Sequence, residues 1–275
     1  MSVAGRTGWL HWASLEAAAT ISRAEATGEA AQEIEVSSAG ALDCGRARIS
    51  DYRVRRNTRS CGKGTSAVSH TPLRRYTDIP ALIYLLSERK ITLLDPRSWD
   101  DKNDSRYLAL YREKKKLSSV LALCFSQAGE TYHHWRVFAE GPAGVCVRFK
   151  RVELLTAVKR QAFVRSRTVR YLAMSDIRAS VPKVQDLPFL KRLAFEHENE
   201  FRMIYESETE TLTKLDIEIP LSSIERITLS PWVHDDLSPD IKRVLKSIKG
   251  CSGLEIVRST LISNDEWQRH GESAA

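Results

Sequence analysis

Val120-Leu-Ala-Leu-Cys-Phe-Ser126 is the stretch whose reading decides the fold. Its apolar run is too short for an ordinary helix and shows no polar stripe, so it reads as a strand buried on both faces at the centre of a sheet. Downstream, Gly144–Phe149, Phe163–Tyr171 and Phe201–Ser207 alternate or run apolar as strands do, and shorter strands follow at 215–220, 226–231 and 254–261. Upstream, Leu73–Thr77 and Ile91–Asp95 read as strands. Between them Asp78-Ile79-Pro80 opens a helix over 81–89, because Asp caps a helix start and Pro suits the first turn. Further helices are expected over 105–118, 152–158, 187–195 and 239–249, with Thr131–Ala139 a short aromatic helix or turn. Strands outnumber helices and do not alternate with them regularly. The expected fold class is α+β, with a single mixed, mainly antiparallel sheet and flanking helices.

The chain has 275 residues, 42% hydrophobic and 28% charged, enough for one sizeable core. Residues 1–69 are rich in Ala, Ser, Gly and Arg and are expected to be a flexible leader, with an Ala-rich helix over 14–31. Residues 70–264 form the expected domain, and 265–275 a tail. No apolar run reaches about 18 residues, so no membrane helix is expected. Gly8–Leu15 is interrupted by His11 and lacks the order of a secretory signal. Five cysteines without a CxxC pair argue against a disulfide framework or zinc knuckle and for a reducing, cytoplasmic setting. The net charge is +7, and 148–192 carries twelve Lys or Arg against three acids. That stretch suits phosphate, on nucleic acid or on a cofactor, or a plain solvated face.

Candidate chemistry lies in short segments. Arg74-Arg75-Tyr76-Thr77 ends a strand, and Arg75 suits either a ligand phosphate or an ion pair with Asp101 or Glu200. Trp99–Asp104 is an acidic turn in which Asp101 and Asp104 suit cap roles. Ser126 closes the central strand. Trp135 suits a core position or a stacking platform. Three histidines, His133, His134 and His197, on two segments are weak grounds for a metal site, and none is expected. Glu198 and Glu200 share a face if extended, and two neighbouring carboxylates repel, so one can hold a raised pKa suited to base work.

Taken in order, Arg74-Arg75-Tyr76-Thr77, Trp99–Asp104, Cys124-Phe125-Ser126, Trp135, Gly144–Phe149 and the Glu198–Arg202 segment resemble the bacterial proteins grouped as domain of unknown function 2971. The resemblance runs from Leu73 to about Tyr205 and loosely to Leu261. The matching positions are Arg75, Tyr76, Asp101, Asp104, Cys124 to Ser126, Trp135, Gly144, Glu198, Glu200 and Arg202. Trp99, Asp100, Lys102 and Asn103 depart from that family's acidic turn, and Phe138 and Phe195 replace an expected Tyr and Trp. The resemblance implies a role in phage defence or abortive infection.

The layout is also similar, more distantly, to the ADP-ribosyltransferase core, with Arg75, Ser126 and Glu200 in matching order. That resemblance implies NAD as substrate and nucleic acid or protein as acceptor. It makes Glu200, Glu198, Arg75 and Ser126 the catalytic set, with Arg75, Tyr76, Ser126 and Trp135 around the cofactor. Two other readings stay open: a non-catalytic nucleic-acid-binding protein using 148–192 with Phe163 and Tyr171, and a metal-independent nuclease using His133 or His134 with Glu198.

Overall fold

The computed structural model describes residues 71–274. The Ala-rich helix expected at 14–31 and the leader around it lie outside those residues. The apolar run Val120–Ser126 lies in β3 (Ser119–Ser126), and all eight residues of that strand are buried. It is central because both edges are used. One edge pairs along its whole length with antiparallel β8 (Glu200–Ser207), from Ser119↔Ser207 to Ser126↔Glu200. The other edge is divided. β1 (Leu73–Asp78) meets it at Arg74↔Ser126, and β2 (Lys90–Leu94) meets it at Leu94↔Ala122. The sheet therefore forks beside Cys124.

β4 (Gly144–Phe149) extends the sheet beyond β1, and β10 (Ile224–Leu229) and β11 (Ile256–Arg258) follow; β9 (Lys214–Glu218) flanks β2 and β5 (Val164–Thr168) flanks β8. The fold is α+β, with a nine-stranded sheet whose pairs are antiparallel except β10 with β11. A separate parallel pair joins β6 (Arg170–Leu172) to β7 (Leu190–Arg192).

Register assigns the two faces, since paired residues point the same way and neighbours along a strand point oppositely. One face carries Leu73, Leu123, Phe125, Val147, Phe149 and Met203 in the main core. It is covered by α1 (Ile79–Glu88), α4 (Arg151–Val158) and α6 (Leu237–Ser247), which contribute Leu82, Leu154 and Leu245. α1 begins as the sequence suggests, with the Asp78 side chain accepting from the Ala81 N–H and Pro80 in the first turn. The opposite face holds two smaller apolar clusters. Trp135 and Phe138 of α3 (Tyr132–Phe138) pack on Tyr76 and Cys146. Leu108 and Tyr111 of α2 (Lys102–Lys114), with Phe189, pack on Val120, Ala122 and Ile204. Gly144 lets β4 pass close beneath α3, because a Cβ there would collide with the Ala139 carbonyl.

Two segments differ from expectation, and two further helices appear. Residues 187–195 are not a helix: a 3-10 turn (Val184–Phe189) containing Pro188 runs into β7 and then a second 3-10 turn (Leu193–Glu198). Proline removes a donor and breaks the helical ladder there. The expected strand at 163–171 is divided between β5 and β6, which belong to different sheets. The tail carries α7 (Asp265–Glu272) and α5 spans Met174–Ala179. Among the described residues no helix is long and apolar enough to cross a membrane.

Candidate functional site

Between the two apolar clusters of the second face lies a band of polar groups. Arg74, Ser126 and Glu200 stand abreast on β1, β3 and β8, since Arg74 pairs with Ser126 and Ser126 with Glu200. Directly opposed residues have Cβ atoms about 5 Å apart, so the three side chains share one row. Arg202, two residues along β8, lies on the same face.

Glu200 and Arg202 belong to a buried cluster of three carboxyls and two cations. Arg202, 0% exposed, donates from Nε and Nη2 to Glu200 at 2.6 and 3.0 Å, and through Nη1 and Nη2 to both Asp104 oxygens at 2.8 and 2.6 Å. Lys191 Nζ lies 2.6 Å from Glu198, 3.6 Å from Glu200 and 3.8 Å from Asp104. Trp99 faces the Arg202 guanidinium at 5.0 Å and Phe195 faces the Lys191 ammonium at 5.0 Å. Local chemistry builds this convergence. Asp101 caps α2 by accepting from Asn103 and Asp104 N–H groups, which sets Asp104 in the inward-facing first turn. Asn199 adopts the left-handed conformation, φ 44°, which Asn tolerates better than most residues. That bend turns Glu198, the end of a 3-10 turn, towards the same ammonium that Glu200 approaches from the strand.

The environments drive the two glutamates apart. Burial raises Glu198, and Lys191 offsets only part of that cost, leaving its pKa near about 7. Burial acts on Glu200 too, but Arg202 and Lys191 outweigh it, and its pKa falls to about 2. Lys191 itself is desolvated, yet the three surrounding carboxyls hold it protonated. One carboxyl tuned to near neutrality beside another held far below it forms the pattern that separates an acid–base group from a permanent anion.

Ser126 is held by a chain of hydrogen bonds. Its hydroxyl donates to the Glu198 carbonyl at 2.8 Å and accepts from the Ala128 N–H at 3.1 Å. His134 Nε2 lies 3.0 Å from Ser126 Oγ, and Nδ1 lies 2.5 Å from Thr131 Oγ1. With the serine proton committed to Glu198, the network assigns His134 the tautomer that donates from Nε2 and accepts from Thr131 at Nδ1. Burial lowers the His134 pKa to about 4, so the ring is neutral at ordinary pH. It orients Ser126 rather than deprotonating it. At the surface, His133 and His197 meet Nε2 to Nε2 at 2.7 Å, joining α3 to the turn before β8.

Of the residues singled out from sequence, Ser126, Glu198 and Glu200 come together. Arg75 sits on the other face of β1, where its Nη1 donates to the Cys124 carbonyl at 3.2 Å in the fork between β1 and β2. Tyr76 and Trp135 are buried against each other edge to face, ring centroids 5.3 Å apart. Asp101 is the cap residue expected, whereas Asp104 pairs with Arg202. Lys191 was hidden in the basic count, and its one sequence signal is its place after the apolar run Leu187–Leu190. Five members of that basic stretch engage acids: Arg148 with Glu225, Lys150 with Glu153, Arg165 with Glu206, Arg167 with Asp186, and Lys191 in the cluster.

No family model matches the chain, and no curated protein matches it. Among solved structures, DarT of Thermus sp. 2.9 in complex with NAD+ is similar over 70% of this chain and 98% of that one, at 12% identity and a TM-score of 0.37. The same protein in complex with ADP-ribosylated ssDNA aligns over 69% and 94%, again at 12% identity and a TM-score of 0.37. In complex with carba-NAD+ it aligns over 70% and 97%, at 11% identity and a TM-score of 0.38. Similarity that loose carries no argument about the chemistry of this chain.

Proposed function

We propose that this chain is an NAD-consuming enzyme of the ADP-ribosyltransferase or NAD glycohydrolase type, with its site on the row Arg74, Ser126 and Glu200. The observation that carries the reading is the register of β1, β3 and β8, which sets a guanidinium, a hydroxyl and a carboxylate side by side on one face. Arg74, in the role first considered for Arg75, holds the pyrophosphate through its planar fork. Ser126, its proton released when the Glu198 carbonyl moves with the turn over 193–199, orients the nicotinamide ribose. Glu200, fixed as an anion by Arg202, stabilises the positive charge that develops on the ribose. The glycosidic C–N bond breaks, nicotinamide leaves with the electron pair, and the acceptor attacks the same carbon. Glu198, titrating near neutrality, takes the proton that the acceptor loses. Glu200 is only 1% exposed, so substrate entry requires the turn over 193–199 to move from α3, parting the His133–His197 contact.

The acceptor is nucleic acid or protein, and the biological role that fits is a toxin-type or phage-defence effector. The test is nicotinamide release from NAD by the full chain, with single-stranded DNA and a protein mixture supplied as acceptors. Release is expected from the wild type and not from Glu200→Gln, whose folding is checked by circular dichroism. A folded wild type that releases none under these conditions sinks the reading.

A further inference from the structure

A pocket of about 320 Å³ opens beside the charge cluster, between α2, β6, α5 and β7. Its size is at the small end of ligand sites, which run from about 300 to 1,000 Å³, on the scale of one mononucleotide. Tyr107, Leu172, Ile177 and Leu190 make its walls apolar. Its floor is polar: Asp104 and Lys191, 4% and 7% exposed, both line it. Lys102, Arg106 and Arg192 also line it and are exposed, beside Asp101, Asn103 and Met174.

The combination narrows the ligand. Apolar walls disfavour a bare inorganic anion, and three exposed cations disfavour a cationic ligand. A flat ring with an attached anion satisfies both. The floor suits the edge of a heteroaromatic base. The Asp104 oxygens each keep a second lone pair after bonding Arg202, ready to accept from an exocyclic amine. Lys191 has one carboxylate at hydrogen-bond distance, with Glu200 and Asp104 farther off at 3.6 and 3.8 Å, which leaves donor capacity for a ring acceptor.

We propose that this pocket binds a mononucleotide, with the base between Tyr107 and Ile177 above Asp104 and Lys191 and the phosphate on Arg106 and Arg192. The site is separate from the row on which Arg74 holds the NAD pyrophosphate, and it is defined without that reading. Lys191 links the two places, since the ammonium that floors the pocket also lies 3.6 Å from Glu200.

The test is calorimetric titration of the full chain with AMP, beside the double variant Arg106→Ala/Arg192→Ala and beside Glu200→Gln. Saturable binding of one AMP per chain is expected, weakened about tenfold or more in the double variant through loss of charged hydrogen bonds, and retained in Glu200→Gln. Absence of saturable binding, or equal affinity in the double variant, overturns the pocket assignment. Kinetics separate its failure from that of the wider reading. AMP binding without nicotinamide release leaves the pocket standing and removes the transferase chemistry. Nicotinamide release without saturable AMP binding does the reverse.

Discussion

Glu198→Gln probes the charge cluster through the pH dependence of folding. In the native state Glu198 is raised from 4.5 to about 7, first by burial. In the unfolded chain it returns to the ordinary value. Between those limits the folded protein holds a proton that the unfolded chain has released. The contribution to stability is therefore complete below about pH 4.5 and is lost as pH rises through 7. At about 1.4 kcal/mol per pH unit, the gap amounts to about 3 kcal/mol. Gln cannot titrate but can still accept from Lys191, so the variant lacks this pH-dependent component. At about 2–4 °C per kcal/mol for a domain of this size, the wild-type midpoint relative to the variant should fall by about 6–12 °C from about pH 4 to pH 8. The assay is thermal unfolding followed by far-ultraviolet circular dichroism across that range. A difference that stays within about 2 °C at every pH, or one that moves in favour of the wild type as pH rises, refutes the reasoning. Glu198 would then be an ordinary ionised carboxylate, and the proposed acid–base role would fall with it.

Arg202→Met should destabilise the fold by about 3–5 kcal/mol in urea denaturation, because Asp104 and Glu200 would stay buried without their guanidinium. Arg74→Ala should raise the KM for NAD about tenfold by removing a phosphate contact, and Arg75→Ala should leave it near the wild-type value. The reverse pattern would move the site to the fork between β1 and β2. Trp135→Ala should cost about 3–5 kcal/mol through the cavity left beside Tyr76, measured by denaturant titration. Gly144→Ala should lower the thermal midpoint, since its methyl group collides with the Ala139 carbonyl, and an unchanged midpoint would show that α3 can shift aside.

The apolar run ending at Ser126 carried the architecture in its own composition. A strand without a polar face has to sit between neighbours, and β3 does so. Asp78 and Pro80 marked the start of α1, because capping needs only a side-chain acceptor and a fixed φ within one turn. The paired glutamates were also legible, because a carboxylate two residues from another announces repulsion wherever it folds. Three things were not. Which of Arg74 and Arg75 shares a face with Ser126 and Glu200 turns on strand register, and a shift of one residue exchanges the faces of the sheet. Lys191 looks like any other member of a basic run until Asp104, Glu198 and Glu200, from two other parts of the chain, enclose it. The opposed pKa values of Glu198 and Glu200 exist only once water is excluded and the cations are placed. Local signals set which segments become strands and helices, because those depend on neighbours in the chain. Burial and electrostatics at the cluster depend on groups nearly a hundred residues apart, such as Asp104 and Arg202, and only the folded arrangement brings them within hydrogen-bonding reach.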